Sequence, residues 1–401
     1  MKYITTYFAT LFTLISAIVI FNWFIDPFGM YWSSQVSGLN VVKPEAEKRS
    51  RITKAYRAPH VQPQILIVGN SRVEMGISPQ HRQFKNKRVY NQGMPGAGLA
   101  MQINYALSVI KQNRSLEQIV LSVDYLDFLI DVERSHHVND STSSTLSYQH
   151  RLEGYDSDKT KLWLQTKEKV GLVFSIDALK ASLTTLSQQS SQVSSITKLG
   201  FNTADSYIPM IKNEGIIPLF KQKLNWLDQR LKREYLLLTS DNPAKYSSRF
   251  EHLLTLLSHA KERNIKVTMF ITPYHYSYLQ VLNDNNHWQK FLRWKASLVN
   301  FLYATDNQQE VPLWDFSGFN IYTLEKTPIA TPKVAMKWYW EPAHYRKELG
   351  DKMVDIMLDT PPEQHMAIKL TTDNIQEVLT RDQQGLNSSQ AQWQILKNKL
   401  E

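Results

Sequence analysis

A serine lies directly after an apolar run in the stretch QILIVGNSRVEMGISP. Gln64–Val68 has the composition of a short strand, Gly69 breaks it, and Asn70 and Ser71 fall where the strand passes into a turn or helix. Such a turn exposes a hydroxyl that acts as a nucleophile when a base lies beside it. The same pattern also suits an ordinary strand–helix turn in which Ser71 caps the helix, so distant residues must decide between the two.

A histidine with an acid three residues before it occurs in the stretch WYWEPAHYRKELG. Glu341 can accept a hydrogen bond from one imidazole nitrogen of His344 and orient the other nitrogen toward a serine hydroxyl. A surface ion pair or the start of a helix fits the same spacing. The single histidine argues against a zinc site of the H-E-x-x-H type, so no metal is expected.

A glycine-rich segment, VYNQGMPGAGLAM, follows a predicted short strand and precedes a predicted helix. Gly93, Gly96 and Gly98 leave backbone amides exposed where that helix begins, which is the arrangement that an oxyanion or a phosphate needs. Tight packing of the turn is the other interpretation. The chain has no P-loop, and the glycine spacing is not G-x-G-x-x-G, so no dinucleotide site and no cofactor are expected.

Together the three stretches resemble the SGNH, or GDSL-like, hydrolase superfamily. GNS stands where that family has Gly-Asp-Ser, so Ser71 matches the nucleophile. Gly96 in NQGMPG matches the glycine whose amide joins that of Ser71 in the oxyanion hole. EPAHYRKELG resembles the closing Asp-x-x-His motif, including a glycine six residues after the histidine, which implies that His344 is the base and Glu341 its orienting acid.

Two positions depart from the family pattern. The oxyanion asparagine expected after the third strand should fall in LSVDYLDF, which holds Asp124 and Asp127 but no asparagine. An ionised carboxylate cannot donate a hydrogen bond and opposes a developing oxyanion. Glu341 stands in place of the family's aspartate. The site is therefore expected either to rely on the Ser71 and Gly96 amides or to be weakened.

Two further stretches, FITPYHYSYL and LWDFSGFN, place His275 and Asp315 just after predicted strands. Doubly wound sheets bind ligands at that edge. These stretches resemble membrane-anchored SGNH-like proteins encoded with bacterial surface-polysaccharide systems, so Asn70, Asp124, His275 and Asp315 are candidate substrate-binding residues. His275 also suits a capping or packing role, and Asp315 is an alternative acid for His344.

Predicted strands alternate with predicted helices along most of residues 62–360. Repeated strand–helix–strand units imply a doubly wound, mainly parallel sheet with helices on both faces, an SGNH-like or flavodoxin-like three-layer α/β fold. Long, polar, Ser/Gln-rich stretches predict a helical insertion at about 126–240. The predicted divisions are a membrane anchor at 1–29, an irregular stalk at 30–60, the α/β domain at 61–360 and a polar, loosely attached tail at 361–401.

The anchor prediction rests on Ile4–Ile25, which carries no charge over 22 residues, or roughly 33 Å of helix, enough to cross a bilayer. A cleaved signal peptide is the alternative, but no small-x-small pattern ends the run. By simple counting, the lysines and arginines that follow the span point the wrong way for an outward-facing body, but most of them lie near or beyond the window that sets topology. The expected location is the bacterial inner membrane, single-pass, with the soluble domain in the periplasm or outside the cell.

Composition restricts the partners. The 401 residues are 42% hydrophobic, enough for a sizeable core. The net charge of +9 is spread among carboxylates rather than gathered in one block, and no recognisable nucleic-acid motif accompanies it, so no nucleic-acid partner is expected. The absence of cysteine fits a non-reducing compartment but decides nothing.

The resemblance implies a serine-dependent acyl-ester hydrolase or O-acyltransferase, for example an O-acetyltransferase, that acts on a cell-envelope glycan. The implied partners are a surface polysaccharide or other acylated glycan, the inner membrane and an acyl-transporting membrane protein. The missing oxyanion asparagine keeps a second hypothesis open: a non-catalytic glycan-binding or polysaccharide assembly protein that retains the fold.

Overall fold

The computed structural model describes residues 2–131, 148–152, 159–237, 248–305, 311–358 and 366–400. The strands of these residues, in chain order, are β1 (Ile65–Val68), β2 (Val89–Asn91), β3 (Gln118–Val123), β4 (Ile130–Asp131), β5 (Tyr235–Leu236), β6 (Lys266–Ile271), β7 (Leu313–Asp315), β8 (Tyr339–Glu341), β9 (His344–Tyr345) and β10 (Ile368–Leu370).

The helices, in the same order, are α1 (Lys2–Ile25), α2 (Ser50–Val61), α3 (Ser71–Gly76), α4 (Leu99–Gln112), α5 (Tyr125–Phe128), α6 (Lys159–Gly171), α7 (Ile176–Ser187), α8 (Tyr207–Glu214), α9 (Ile216–Leu231), α10 (Ser248–Glu262), α11 (Tyr276–Asp284), α12 (Trp288–Ala304), α13 (Lys347–Leu358) and α14 (Ile375–Leu400). Short 3₁₀ turns cover Ala46–Arg49 and Arg82–Phe84.

A six-stranded sheet forms the centre of the molecule, with the strand order β2-β1-β3-β6-β7-β10. The first five strands run parallel, and β10 pairs antiparallel with β7. In register, Ile65 of β1 lies opposite Val89 of β2 and Gln118 of β3. The sequence prediction of a mixed α/β protein with a mainly parallel sheet is confirmed.

Burial of the strands explains why this sheet is parallel and central. Every residue of β1 (ILIV) and β2 (VYN) is buried, so side chains that point to either face are covered. Parallel strands need this, because their crossover helices pack on the faces. Helix α4 packs against α10 and α2, and α13 packs against α3. The carboxyl ends of the strands are thereby fixed relative to one another.

Helices rather than strands of the central sheet make up most of the described residues between β3 and β6. Helices α6 to α9 follow one another there, in the region where the sequence predicts a helical insertion. Only the two-residue strands β4 and β5 interrupt the described part of this region, and they pair with each other outside the central sheet.

Helix α1 is the one helix among the described residues that is by itself long and apolar enough to cross a membrane. Asn22 and Ile25 are its only buried residues. An apolar helix without a covering layer of protein needs an apolar surrounding, so the helix supports the predicted single-pass anchor.

Residues 30–60 are not irregular throughout, although the sequence predicts an irregular stalk: 30–45 hold turns and extended backbone, but 46–60 form a 3₁₀ turn and most of α2. The last carbonyls of a helix lack partners within the helix, and this segment supplies them. The Ser33 hydroxyl and the Asn40 amide donate to the Phe24 carbonyl at 2.6 and 2.8 Å, and the Lys43 ammonium donates to the Ile25 carbonyl at 2.9 Å. Helix α2 then packs on α4. The anchor is therefore joined to the body by a folded collar.

The prediction of a loosely attached tail at 361–401 is also wrong. The helix predicted to start after Thr372 or Asp373 begins at Ile375 and runs to Leu400. One side of it joins the main core, and β10 extends the sheet. The average polarity of this segment hides an apolar stripe with helical spacing, formed by Ile375, Val378, Leu386, Trp393, Leu396 and Leu400.

Candidate active site

Ser71 is the first residue of α3, two residues beyond Gly69, which follows β1 directly. The Asn70 side chain caps α3 by accepting a hydrogen bond from the Arg72 amide at 3.1 Å. The turn is tight, since a Cβ atom at Gly69 would lie 2.5 Å from the Val73 side chain. Ser71 itself is partly exposed. The turn therefore presents the hydroxyl at the carboxyl edge of the sheet.

His344 reaches Ser71 from a hairpin 273 residues further along the chain. Its Nε2 lies 2.8 Å from the Ser71 Oγ, and its Nδ1 contacts the Glu341 carboxylate. Glu341 and His344 face each other across the β8–β9 hairpin. The second carboxylate oxygen of Glu341 accepts the Ala343 amide at 2.8 Å. A neutral imidazole that donates from Nδ1 to Glu341 leaves Nε2 free to accept the serine proton.

Two glycines allow the hairpin and α13 to approach α3 closely. A Cβ atom at Gly76 would lie 2.0 Å from the Tyr345 ring, and one at Gly350 would lie 1.8 Å from the Gly76 carbonyl oxygen. Any larger residue at either position would push the histidine hairpin away from Ser71. The glycine six residues after His344 thus has a physical role in bringing the two side chains together.

Burial and charge set the protonation of this pair. Burial raises the pKa of the Glu341 carboxyl, but His344, Lys223 and the Ala343 amide outweigh it and lower that pKa to about 2. Burial lowers the pKa of the His344 imidazole, and Glu341 opposes this only in part. Glu341 is therefore an anion and His344 a neutral base near pH 7, which is the state that a serine nucleophile requires.

Asp124 follows β3 as the sequence predicts, but its carboxylate is already paired. It forms an ion pair with Arg72, accepts from the Asn70 amide at 3.3 Å and caps α5 by accepting from the Leu126 amide at 3.0 Å. Arg72 also donates to the Tyr278 hydroxyl at 3.0 Å. Asp124 and Asn70 thus hold the turn that carries Ser71.

Gly96 lies in an exposed turn with a left-handed backbone, φ +62°. A Cβ atom there would lie 2.7 Å from Nη2 of Arg51, which donates to the adjacent Pro95 carbonyl at 2.5 Å. Gly93 is the glycine that touches the nucleophile helix, since a Cβ atom there would lie 2.6 Å from the Glu74 amide nitrogen. The glycine loop is therefore seated on α3, with Gly96 at its outer side.

His275 and Asp315 do not join the Ser71–His344 pair. His275 is buried, caps α11, contacts the Ser277 hydroxyl at 2.7 Å through Nδ1 and contacts the Glu325 carbonyl at 2.8 Å through Nε2. Asp315 forms an ion pair with Lys295 at 2.7 Å. Asp315 is therefore not the acid for His344; that partner is Glu341.

Sequence reasoning missed two cations beside the site. The Lys223 ammonium of α9 lies 3.7 Å from the Glu341 carboxylate, and Arg72 balances the charge of Asp124. Arg72 could have been predicted from the sequence, because it directly follows the candidate nucleophile and is the only basic residue in the segment SRVEMG. Lys223 carried no signal, since its helix lies in the region predicted as an insertion.

Another buried ion pair, Lys54–Glu74, connects α3 to α2. The Lys54 ammonium of α2 lies 2.7 Å from the Glu74 carboxylate, and the Asn202 amide donates to the same carboxylate at 3.2 Å. Lys54 also donates to the Gly93 carbonyl. The predicted stalk therefore helps to position both the nucleophile helix and the glycine loop.

Comparisons with known proteins add no assignment: no family model matches the chain, and no curated protein matches it. Any function must therefore be argued from these residues and their geometry.

Proposed function

We propose that this protein is a membrane-anchored serine esterase or O-acyltransferase of the SGNH type that acts on a cell-envelope glycan. The observation that carries the proposal is the continuous chain of contacts from the Glu341 carboxylate through both nitrogens of His344 to the partly exposed Ser71 hydroxyl. An acid, a base and a hydroxyl in this order activate a serine for attack on an ester.

The first half-reaction transfers an acyl group to Ser71. Nε2 of His344 takes the hydroxyl proton while Oγ bonds to the ester carbonyl carbon, whose oxygen becomes negatively charged. The tetrahedral intermediate collapses, the bond to the alcohol oxygen breaks, and His344 returns the proton to the departing alcohol. Glu341 remains ionised and stabilises the imidazolium that forms in between.

The second half-reaction removes the acyl group. Water or a sugar hydroxyl gives its proton to His344 and attacks the acyl carbon, and the proton returns to Ser71 as its bond to the acyl group breaks. Water yields a free acid, and a sugar hydroxyl yields a new ester. Both outcomes use the same residues, so access of the acceptor decides between hydrolase and transferase.

In this scheme the Ser71 amide, at the start of α3, holds the oxyanion; the family resemblance adds the Gly96 amide, which would have to turn inward from its exposed position at the outer side of the glycine loop. Asp124 does not present an uncompensated negative charge there, because Arg72 pairs with it. Because of this pairing, the Asp124 carboxylate opposes a developing oxyanion less than an unpaired carboxylate would.

A glycan substrate is supported by the outer face of α9. Lys223, Trp226 and Arg230 lie three and four residues apart, so they share one side of the helix. Trp226 is 51% exposed, with the Lys223 and Arg230 cations 6.0 and 5.4 Å from its ring centre. This face starts beside Glu341 and offers an amphipathic ring for stacking on a sugar. The α9 face thus supports only the glycan partner; the inner membrane follows from the apolar helix α1, and an acyl-transporting membrane protein is proposed from the family resemblance alone.

A non-catalytic glycan-binding or assembly role is the second candidate. The observation that favours it is the carboxylate of Asp124 in the segment where the family has its oxyanion asparagine. In that case the Ser71–His344 contact would have no catalytic role, and the exposed face of α9 would bind the glycan.

Reaction of the full-length protein with a fluorophosphonate distinguishes the two candidates, because the reagent bonds to activated serine oxygens. We expect one label, located on Ser71 by peptide mass spectrometry, that is lost in Ser71→Ala and strongly reduced in His344→Gln. Ser317→Ala is the matched control, since Ser317 is hydrogen-bonded to Asp315 and not to His344. A folded wild-type protein that stays unlabelled would support the non-catalytic candidate.

A further inference from the structure

The hairpin formed by α6 and α7 carries apolar side chains that the body leaves uncovered. Phe174 is 53% exposed, Ile176 73% and Leu183 53%, and Val170 and Leu186 are exposed as well. Ile176, Leu183 and Leu186 are seven and three residues apart, which places them on one side of α7. These five residues form the apolar hairpin face.

The opposite side of the hairpin is bound to the body. Ala178 and Ala181 pack with Phe28 and Met30 just beyond the end of α1. On α6, Glu168 pairs with Arg151 and accepts from the Tyr56 hydroxyl at 2.8 Å. The hairpin therefore has one side that is packed against and hydrogen-bonded to the body, and one apolar side that is exposed.

The position of this hairpin along α1 shows what its apolar side faces. The Asn22 amide donates to the Val173 carbonyl at 2.8 Å, and α7 packs along α1. Asn22 lies three residues before the end of α1, which is about 4.5 Å along the helix axis. A helix of 24 residues is about 36 Å long against a hydrocarbon core of about 30 Å, so Asn22 lies near the boundary of that core.

The collar at 30–60 fixes this level. Because Ser33, Asn40 and Lys43 bond to the last carbonyls of α1, the body cannot lift away from the end of the span as it would on a flexible linker. Val173, and with it Phe174, is thereby held at the depth of the last turn of α1.

We propose that the apolar hairpin face inserts into the lipid bilayer beside α1, as a second membrane contact that fixes the orientation of the body. It is continuous with the exposed apolar surface of α1, where Ile20 and Trp23 are uncovered near the same end. Trp163 of α6, with the Lys167 ammonium 4.9 Å from its ring centre, has the composition of an interfacial anchor.

The hairpin lies in the interface and does not cross the membrane. Taken together as one bent helix, α6 and α7 are long and apolar enough to cross a membrane. A crossing would require the bound side to leave the body, which would break the Glu168 ion pair and expose Ala178 and Ala181. A helix with one polar, bound side and one apolar side instead rests at the boundary of headgroups and acyl chains.

This inference is independent of the chemistry at Ser71, and the absence of cysteine permits a direct test. Full-length Phe174→Cys and Leu183→Cys, each labelled with an environment-sensitive nitrobenzoxadiazole dye, are reconstituted in phosphatidylethanolamine–phosphatidylglycerol vesicles. Phe12→Cys, in the middle of α1, serves as the lipid-exposed control, and Asn225→Cys, exposed on α9, serves as the water-exposed control.

We expect the dye at positions 174 and 183 to emit as in an apolar medium and to be quenched by nitroxide-labelled acyl chains, as at position 12. Emission like that of position 225 would overturn the proposal, and apolar emission without nitroxide quenching would also overturn it, since a protein would then cover the face. Loss of quenching at position 12 would overturn the span and the hairpin insertion together. If either variant lacks a cooperative thermal transition, Ile176→Cys replaces it.

Discussion

The Ser71–His344–Glu341 chain and the Lys295–Asp315–Asp382 cluster are both buried and both include a carboxylate at the end of a strand. In the Lys295 cluster, one ammonium donates to two carboxylates, and all three side chains are almost completely covered. In the Ser71 chain, one carboxylate holds one imidazole, and the series ends at a partly exposed hydroxyl.

The protonation of the two groups differs accordingly. Burial by itself lowers the pKa of the Lys295 ammonium, but Asp315 and Asp382 outweigh it and raise that pKa. Burial lowers the pKa of His344, and the single carboxylate of Glu341 does not fully offset it. Lys295 therefore stays charged and binds α14 to the sheet, whereas His344 stays neutral and can accept a proton. The number of partners separates a structural cluster from a reactive one.

The largest expected effect is on turnover at the Ser71 chain. Ser71→Ala and His344→Gln should each lower hydrolysis of p-nitrophenyl acetate by about 10⁴- to 10⁶-fold, because both residues serve one step. The double variant should lose little more than either single variant. Thermal unfolding of the three variants should match the wild type; turnover that survives Ser71→Ala unchanged would make the activity unrelated to this site.

Removing the cation of the structural cluster should act on stability instead. Lys295→Met leaves Asp315 and Asp382 buried without a counter-charge, and we expect the free energy of unfolding in urea to fall by about 3–5 kcal/mol. Turnover per folded molecule should not change.

The matched control for that variant is Lys295→Met combined with Asp315→Asn and Asp382→Asn, which should recover part of the lost stability because no charge remains buried. A loss of turnover without a loss of stability in Lys295→Met would mean that the cluster belongs to the active site.

The smallest expected effect is a shift in pH dependence. Since His344 must be neutral and its pKa lies below the ordinary 6.5, kcat/KM should stay level above pH 6.5 and fall at lower pH, as the pH passes through the pKa of His344. Glu341→Gln removes the anion that favours imidazolium, so its residual activity should fall only at still lower pH.

Ser317→Ala should leave the fall of kcat/KM at low pH, the acid limb of the pH profile, unchanged. A limb that lies above pH 6.5, or that moves to higher pH in Glu341→Gln, would show that His344 is not the titrating base.

Much of the fold was predictable, because β1, β3 and β6 are short apolar runs separated by helical patterns. The stalk and tail predictions share one reason for being wrong, beside the apolar stripe of α14 that average polarity hides. Lys54 and Asp382 are charged residues that average hydropathy assigns to the surface, and their partners Glu74 and Lys295 lie 20 and 87 residues away. Pairing across such distances makes buried charge possible, and no local pattern reports it.

The site was predictable where its residues are close in sequence. The three-residue spacing of Glu341 and His344 predicted their contact, and the position of Ser71 after a predicted strand predicted a serine at the start of a helix. The choice between Glu341 and Asp315 was not open to sequence reasoning, because both follow or end a strand and only the position of Lys295 removes Asp315. Lys223 and Arg72 act through space, on Glu341 and Asp124, and their effects depend on how α9 and α3 pack.

The most direct test of the central claim is to trap the acyl-enzyme. The full-length protein is mixed with p-nitrophenyl acetate, quenched in acid within the first turnovers and mapped by peptide mass spectrometry. The proposed mechanism predicts a single acetyl group on Ser71 that is absent in His344→Gln and present in Ser317→Ala. Acetylation at another residue, or acetylation of Ser71 at an undiminished rate in His344→Gln, would contradict it.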